Sequence, residues 1–393
     1  MIDPLAWIDV EALDRSKRGL TRRLKTLGAS TPGRIVIDGR ELINFSSNDY
    51  LGLASDPRTI AAAIQEAKAG GWGSGASPLV TGWREAHQKL AIALARFEKT
   101  EAAALFPTGF AANLGTIASL VGPQDAVYLD RLNHACLVAG AKLSGAKIRV
   151  YRHRDNVRLQ ELLLRERTRY RRVLIATDGV FSMDGDLAPI SELADLAERF
   201  EAMLLVDEAH GTGVFGADGR GACSELHVTE RIPIRVGTLS KSLGSLGGFV
   251  AGSQRLIDHL VQNAPSFIYS TSLPAPAAAA ALESLRIVEA EPWRRERVRA
   301  LGDHVRSALS SAGFNIGDSI GPIIPVLIGD PQRALELAEL LRNDGLFVSA
   351  IRPPTVPRGT DRLRISLSAV HSDSDAARLV ERLLFHCLPE RRK

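Results

Sequence analysis

Apolar and polar positions follow two distinct textures along this 393-residue chain. Between residues 102 and 252 short continuous apolar runs recur: AAALF (102–106), AVYLD (126–130), KIRVY (147–151), RVLIATD (172–178), AMLLVD (202–207), IRVGTL (234–239) and GGFVAG (247–252). Runs of this length, bounded by turn residues, read as strands buried on both faces. Helical segments separate them, one starting from about Phe110. Such alternation predicts an α/β domain built on a large, mostly parallel sheet. After an alanine-rich helix near 275–290 the texture changes. A charged helix (292–312) leads into PIIPVLIG, a helix at 331–343, then LFVSAI, RLRISLS and a final helix, which is an α+β pattern. Before residue 50 the chain predicts a polar helix running to about Lys25, with Leu13 and Leu20 on one side. The strand pair IVIDG and ELINF follows. We therefore expect an N-terminal helix and strand arm (1–50), a large domain (51–290) and a smaller C-terminal domain (291–393).

Composition narrows the class. Hydrophobic residues make up 45% and charged residues 24%, which fits a soluble globular protein. A net charge of +4 and a pI near 9.0 are mildly basic and would favour a polyanionic substrate without specifying one. The densest basic stretch, Arg149 to Arg172, is interrupted by Asp155, Glu161 and Glu166 and carries Leu159, Leu162, Leu163 and Leu164. It predicts a solvated amphipathic helix rather than a nucleic-acid surface, and no aromatic ladder accompanies it. Cys136, Cys223 and Cys387 are scattered, without the paired spacing of a metal site or a disulfide framework. No apolar run is long enough to span a bilayer, and the start MIDPLAWIDVEALDR lacks the pattern of an export signal. A cytoplasmic protein with no nucleic-acid partner, no membrane and no metal is expected.

Ligands of parallel sheets sit beyond the carboxyl ends of the strands, and the chemistry-bearing residues of this chain fall there. Asp207 ends AMLLVD and is followed by Glu208, Ala209 and His210; Lys241 follows IRVGTL within the glycine-rich GTLSKSLGSLGG. Taken singly, a lysine is usually a surface residue, an aspartate after a strand is often a helix cap, and a histidine is usually structural. Their order and combination carry the argument. DEAH (207–210) suggests a nucleic-acid-dependent ATPase, but no G-x-x-x-x-G-K-[ST] loop exists in the chain. Gly211, Gly213 and Gly216 match a dinucleotide fingerprint, but three residues intervene after the strand and no helix opens there. Pyridoxal phosphate fits better. It needs a lysine amine, an acid to keep the pyridine nitrogen protonated, and an anion cradle. Thr108-Gly109-Phe110, between a strand and a helix start, offers the cradle, and the His134 imidazole could stack on the ring.

These motifs resemble the α-oxoamine synthases, fold-type I pyridoxal-phosphate enzymes with an aspartate-aminotransferase-like fold. The likeness runs from NFSSNDYLGL (44–53) through TGFAAN (108–113), DRLNHA (130–135), TDGVFSMDGDLAP (177–189), VDEAHGTGVFG (206–216) and GTLSKSLG (237–244) to RLRISLSAVH (362–371). It implies an acyltransferase that joins an amino acid to an acyl thioester with loss of carbon dioxide. It also implies that domain 51–290 binds the cofactor. Residue by residue, it makes Lys241 the Schiff-base lysine and later the base, and Asp207 the partner of the pyridine nitrogen. His210 would bond the phenolic oxygen, His134 would stack on the ring, and Ser182 would line it; either histidine could polarise the carbonyl. Gly109, Phe110 and Thr238 would hold the phosphate, joined by Thr271 of YSTS (269–272) from the other subunit of a homodimer. Arg364 would grip the amino-acid carboxylate, with Asn48 close by, and His134 would touch substrate too. An N-terminal arginine would contact substrate, Arg22 in preference to Arg23. Arg352-Pro353-Pro354-Thr355 resembles the member that uses L-alanine and a pimeloyl thioester, on CoA or a carrier protein, in biotin synthesis. The glycine-using relatives, 5-aminolevulinate synthase and glycine C-acetyltransferase, are the alternative; they usually carry an aromatic residue and a single proline at this point.

Overall fold

The computed structural model describes residues 3–22, 24–28 and 31–387. Its contacts divide the chain into two compact units: residues 48–299, and residues up to 47 together with those from 300 onward. Thirteen strands are found among the described residues. The first two are β1 (Arg34–Ile37) and β2 (Arg40–Asn44). Next come β3 (Ala102–Phe106), β4 (Ala126–Asp130), β5 (Lys147–Tyr151), β6 (Val173–Asp178), β7 (Met203–Asp207), β8 (Ile234–Thr238) and β9 (Gly248–Gly252). The last are β10 (Ile323–Leu327), β11 (Leu346–Phe347), β12 (Ser349–Ile351) and β13 (Arg362–Ser366).

Unit 48–299 is built on one seven-stranded sheet in the order β3-β9-β8-β7-β6-β4-β5. Every residue of β4, β6 and β8 is buried, as strands covered on both faces require. Burial of each large side chain, such as Leu174, Ile175, Leu204 and Leu205, contributes roughly 1.5–3 kcal/mol to the unit's stability. Strands β8, β7, β6, β4 and β5 pair in parallel, while β9 runs antiparallel to both β8 and β3. The reversal follows from the connection. Only residues 239–247 link β8 to β9, fewer than the dozen or so a parallel crossover needs. Because β9 reverses twice, β3 runs the same way as β8. The carboxyl ends at Phe106, Asp130, Asp178, Asp207 and Thr238 therefore share one edge of the sheet.

The basic stretch is a helix, Asn156–Glu166, capped by Asp155 and burying Leu159, Leu162 and Leu163, with Leu164 left exposed. Arg149 and Arg165 both pair with the buried Glu166, so part of the positive charge is neutralised locally.

In the other unit, β1 and β2 form a hairpin whose two-residue turn, Asp38-Gly39, has positive φ at both positions (52° and 74°). Asp-Gly is the residue pair such a turn favours. β11 adds in parallel to β2, and a separate sheet runs β10-β13-β12. LFVSAI thus serves two sheets rather than forming one strand. The N-terminal helix is shorter than expected, Trp7–Lys17, and none of its residues is buried. It ends in a Schellman motif: Gly19 (φ 65°) donates to Ser16 O at 3.0 Å and Leu20 donates to Arg15 O at 2.8 Å.

Candidate active site

The polar residues at the sheet edge converge in unit 48–299. Lys241, in the turn after β8, places Nζ 2.8 Å from His210 Nε2. The other ring nitrogen, Nδ1, lies 2.6 Å from the hydroxyl of Tyr50, which in turn donates to Asn48 Oδ1 at 3.1 Å. Tyr50 is completely buried, so this row of contacts is shielded from water on its inner side.

Asp207 at the end of β7 has both oxygens engaged. Oδ1 accepts from Ala209 N at 2.8 Å, and Oδ2 accepts from Asn113 Nδ2 at 2.7 Å. Its register partner on β6 is a second carboxyl, Asp178. Burial, with the Asp207 charge beside it, holds Asp178 well above the usual carboxylate range, and its Oδ2 accepts from His134 N at 2.8 Å. His134 caps the helix Ala135–Ser144, its Nδ1 accepting from Cys136 N at 3.3 Å. Burial lowers the His134 imidazole below its ordinary value, against the pull of Asp207 and with the help of Lys241. His134 and Asp178 both sense the charges of Asp207 and Lys241, which places the four groups in one cluster.

The anion cradle lies beside them. Thr108 caps the helix Gly109–Leu120 through its hydroxyl, which accepts from Ala111 N at 3.0 Å. The first amides of a helix have no partner within it, and they favour an anion. A Cβ at Gly109 would press on Thr238 Cβ at 3.2 Å, and one at Gly248 would lie 2.5 Å from the Thr108 carbonyl oxygen. Only glycine lets β8, β9 and the helix start come this close. Thr238 donates to Gly247 O at 2.9 Å, which fixes it at the same corner. Ser182 is half-buried on the loop after β6. Thr271 is exposed on the loop that follows the short helix Pro265–Ile268. An amine, a carboxylate, a neutral imidazole and an amide-lined cradle are together the donor set that pyridoxal phosphate requires.

The remaining expected residues belong to the other unit. Arg22, Arg352 and Thr355 line one cavity of about 640 Å³ together with Lys25, Leu335 and Ile351, and Arg352 donates to Gly19 O. Arg364 is buried on the middle strand β13, with Nη1 2.6 Å from Ser366 Oγ. Arg23 lies outside the described residues.

The misleading motifs have a structural origin. Glu208 of DEAH is fully buried and accepts from Ala222 N at 2.8 Å and Cys223 N at 2.7 Å. A Cβ at Gly211 or Gly221 would lie 2.0 or 2.4 Å from Glu208 Oε2, so those glycines wrap the chain around a carboxylate. Sequence reading gave no role to Tyr50, Cys136 or Asp178, and none to Asn113 beyond the cradle turn. Asp178 ends a buried strand as Asp207 does, and the same signal could have found it; the others are recognised only by what they touch.

A family model described as aminotransferase class I and II matches residues 40–383. The 8-amino-7-oxononanoate synthase of Nitrosococcus oceani is 48% identical over 376 residues, covering 95% of this chain and 99% of that protein. Among solved structures, a serine palmitoyltransferase of S. paucimobilis with a bound PLP–myriocin aldimine superposes with a TM-score of 0.92 at 30% identity, covering 98% of each chain. An 8-amino-7-oxononanoate synthase of Francisella tularensis gives 0.77 at 28% identity, covering 89% of this chain and 98% of that one. A match of this extent, on a sheet edge that presents the groups the cofactor needs, means that the chain belongs to the class I and II aminotransferase family of fold-type I pyridoxal-phosphate enzymes, among its 8-amino-7-oxononanoate synthases.

Proposed function

We propose that the protein condenses L-alanine with a pimeloyl thioester, releasing carbon dioxide and the free thiol and forming 8-amino-7-oxononanoate. The observation that carries the reading is the convergence of Lys241, His210, Asp207 and His134 at one sheet edge, in a chain 48% identical to a synthase of that name. Bound there, pyridoxal phosphate supplies an electron sink for negative charge at the amino-acid α-carbon.

The chain's own residues do the rest. Lys241 anchors the cofactor and, once freed by the incoming amine, takes the α-proton at Nζ. General-base help of this kind contributes roughly 10²–10⁴ in rate. His210, 2.8 Å away, orients that amine and exchanges protons with it. Asp207, oriented by hydrogen bonds from Asn113 and Ala209, would partner the ring nitrogen. His134 packs on the ring and Ser182 lines it. Gly109, Phe110 and Thr238 hold the phosphate, and Thr271 of the partner subunit completes the hold in a homodimer. Arg364 grips the alanine carboxylate, and Asn48 serves the same substrate. The cavity that gathers Arg22 from the N-terminal segment with Arg352 and Thr355 supports their role in substrate binding. Residues 51–290 make the cofactor domain, flanked by the arm (1–50) and the small domain (291–393). The buried free thiols Cys136 and Cys223 suit the cytoplasm.

The test supplies holoenzyme with pimeloyl-CoA or pimeloyl-carrier protein and either alanine or glycine, and measures thiol and carbon dioxide release. Alanine-dependent release with a pimeloyl donor is expected. Release that requires glycine would move the protein to the glycine-using branch of the family.

A further inference from the structure

Behind the cluster lie two buried side chains, Asn113 and Cys136, whose donors and acceptors can be followed atom by atom. Asn113 Nδ2 is 2.7 Å from Asp207 Oδ2 and 3.2 Å from Cys136 Sγ, with Gly109 O a longer contact at 3.4 Å. Reversing the amide would set its oxygen against a carboxylate oxygen, so the nitrogen must face Asp207. The same orientation leaves Asn113 Oδ1 buried without a partner, a cost that the charged hydrogen bond offsets. The thiol of Cys136 has one proton to give, and of its two acceptors His134 Nδ1 at 2.9 Å is far nearer than Asp207 Oδ2 at 3.9 Å. That nitrogen already accepts the amide of Cys136 at 3.3 Å. A ring nitrogen that receives two donors carries no proton, so a neutral His134 has its proton on Nε2.

We propose that Asn113 and Cys136 are positioning residues. They form a hydrogen-bond chain of fixed polarity, in which Asn113 donates to Asp207 on one side and to Cys136 on the other and Cys136 donates to His134 Nδ1, so that His134 is held as the Nε2–H tautomer. The chain ties the orientation of the ring-packing imidazole to that of the carboxylate. Asn113 and Cys136 are 1% and 2% exposed, so water does not substitute for either link. Burial pushes the Cys136 thiol up, which keeps its proton available to Nδ1, and lowers His134, which keeps the imidazole neutral. Asp178 contributes from β6 by fixing the His134 backbone, while Asp207 and Lys241 are the charges that act on the ring.

The proposal rests on the cofactor site described above, but its principal test needs no turnover. In holoenzyme labelled with ¹⁵N-histidine, a His134→Gln variant identifies the His134 resonances, whose shifts and couplings show which nitrogen is protonated. Protonation on Nε2 is expected; a proton on Nδ1 in the unmutated protein would overturn the proposal, whatever the substrates prove to be. Cys136→Ser keeps a donor of the same direction and should preserve the tautomer, with kcat/KM for the amino acid within about threefold of the original. Cys136→Ala should mix the tautomers and lower kcat/KM about tenfold. Asn113→Ala should weaken cofactor binding by about ten- to a hundredfold, the worth of one hydrogen bond to a charge. Equal effects of serine and alanine at 136 would reduce the thiol to a space-filling role and refute its place in the chain. If either alanine variant fails to fold, the spectrum of the unmutated holoenzyme still decides.

Discussion

Raising the pH should release a clamp on the wall of the site, and the size of the effect follows from the residues around His153. Its Nδ1 lies 3.1 Å from Asp130 Oδ1, at the end of β4, and its Nε2 lies 2.8 Å from Asp186 Oδ2, on the loop that carries Ser182. The ring also meets Phe181 edge-on at 4.4 Å. Burial alone would lower this imidazole, but the two carboxylates outweigh it and raise the value to about 9. Against an unfolded value of about 6.5 the difference is roughly 2.5 pH units, worth about 3 kcal/mol at about 1.4 kcal/mol per unit. The folded value is the higher one, so the protonated clamp stabilises fully below about pH 6.5 and its contribution is lost as the pH rises through about 9. His153→Gln removes the charge while keeping a polar side chain. Urea unfolding, followed through the absorbance of bound cofactor, should show the variant about 2–3 kcal/mol less stable at pH 6 and nearly equal to the unmutated protein at pH 10. A difference that stays constant between those pH values would refute the clamp, because every other titrating group is common to both proteins.

Other outcomes follow from the same structure. Lys241→Ala should abolish turnover and remove the visible absorbance of bound cofactor; an active, yellow variant would refute the assignment of the lysine. Arg364→Lys replaces a planar fork with a point charge and should raise the KM for the proposed amino-acid substrate, alanine, about ten- to a hundredfold. Gly237→Ala places a Cβ 2.3 Å from the buried ring of Phe249 and should cost about 1–3 kcal/mol in urea unfolding, as overpacking does.

Much of this arrangement was legible in the residue pattern, for identifiable reasons. The strands of the large sheet are continuous apolar runs, and polar residues at their carboxyl ends stand out against them; Asp207, His134 and Lys241 were found that way. The direction of β9 is not written in its apolar run; the signal that could have found it is the short connection from β8, residues 239–247, which is too brief for a parallel crossover. The division of LFVSAI between two sheets was not legible, since a two-residue pairing with β2 leaves no periodic signature. Tyr50 and Asn113 reach their partners across 160 and 94 residues of sequence, and only the folded sheet brings those positions together. In the sequence Cys136 spoke only against a metal site and a disulfide framework. Its meaning comes from two acceptor and donor atoms within 3.2 Å. Glu208 and its glycines mimic two nucleotide motifs because a buried carboxylate, like a phosphate, needs backbone amides close by.

The central claim, that Lys241 carries the cofactor beside His210 and Asp207, is open to direct chemical reading. Reduction of the holoenzyme with borohydride, followed by proteolysis and mass spectrometry, fixes the cofactor to whichever lysine holds it. The account predicts the added mass on the peptide containing Lys241, at about one cofactor per chain, and its absence after treatment with alanine in excess. Cofactor trapped on a different lysine, or on none, would contradict it.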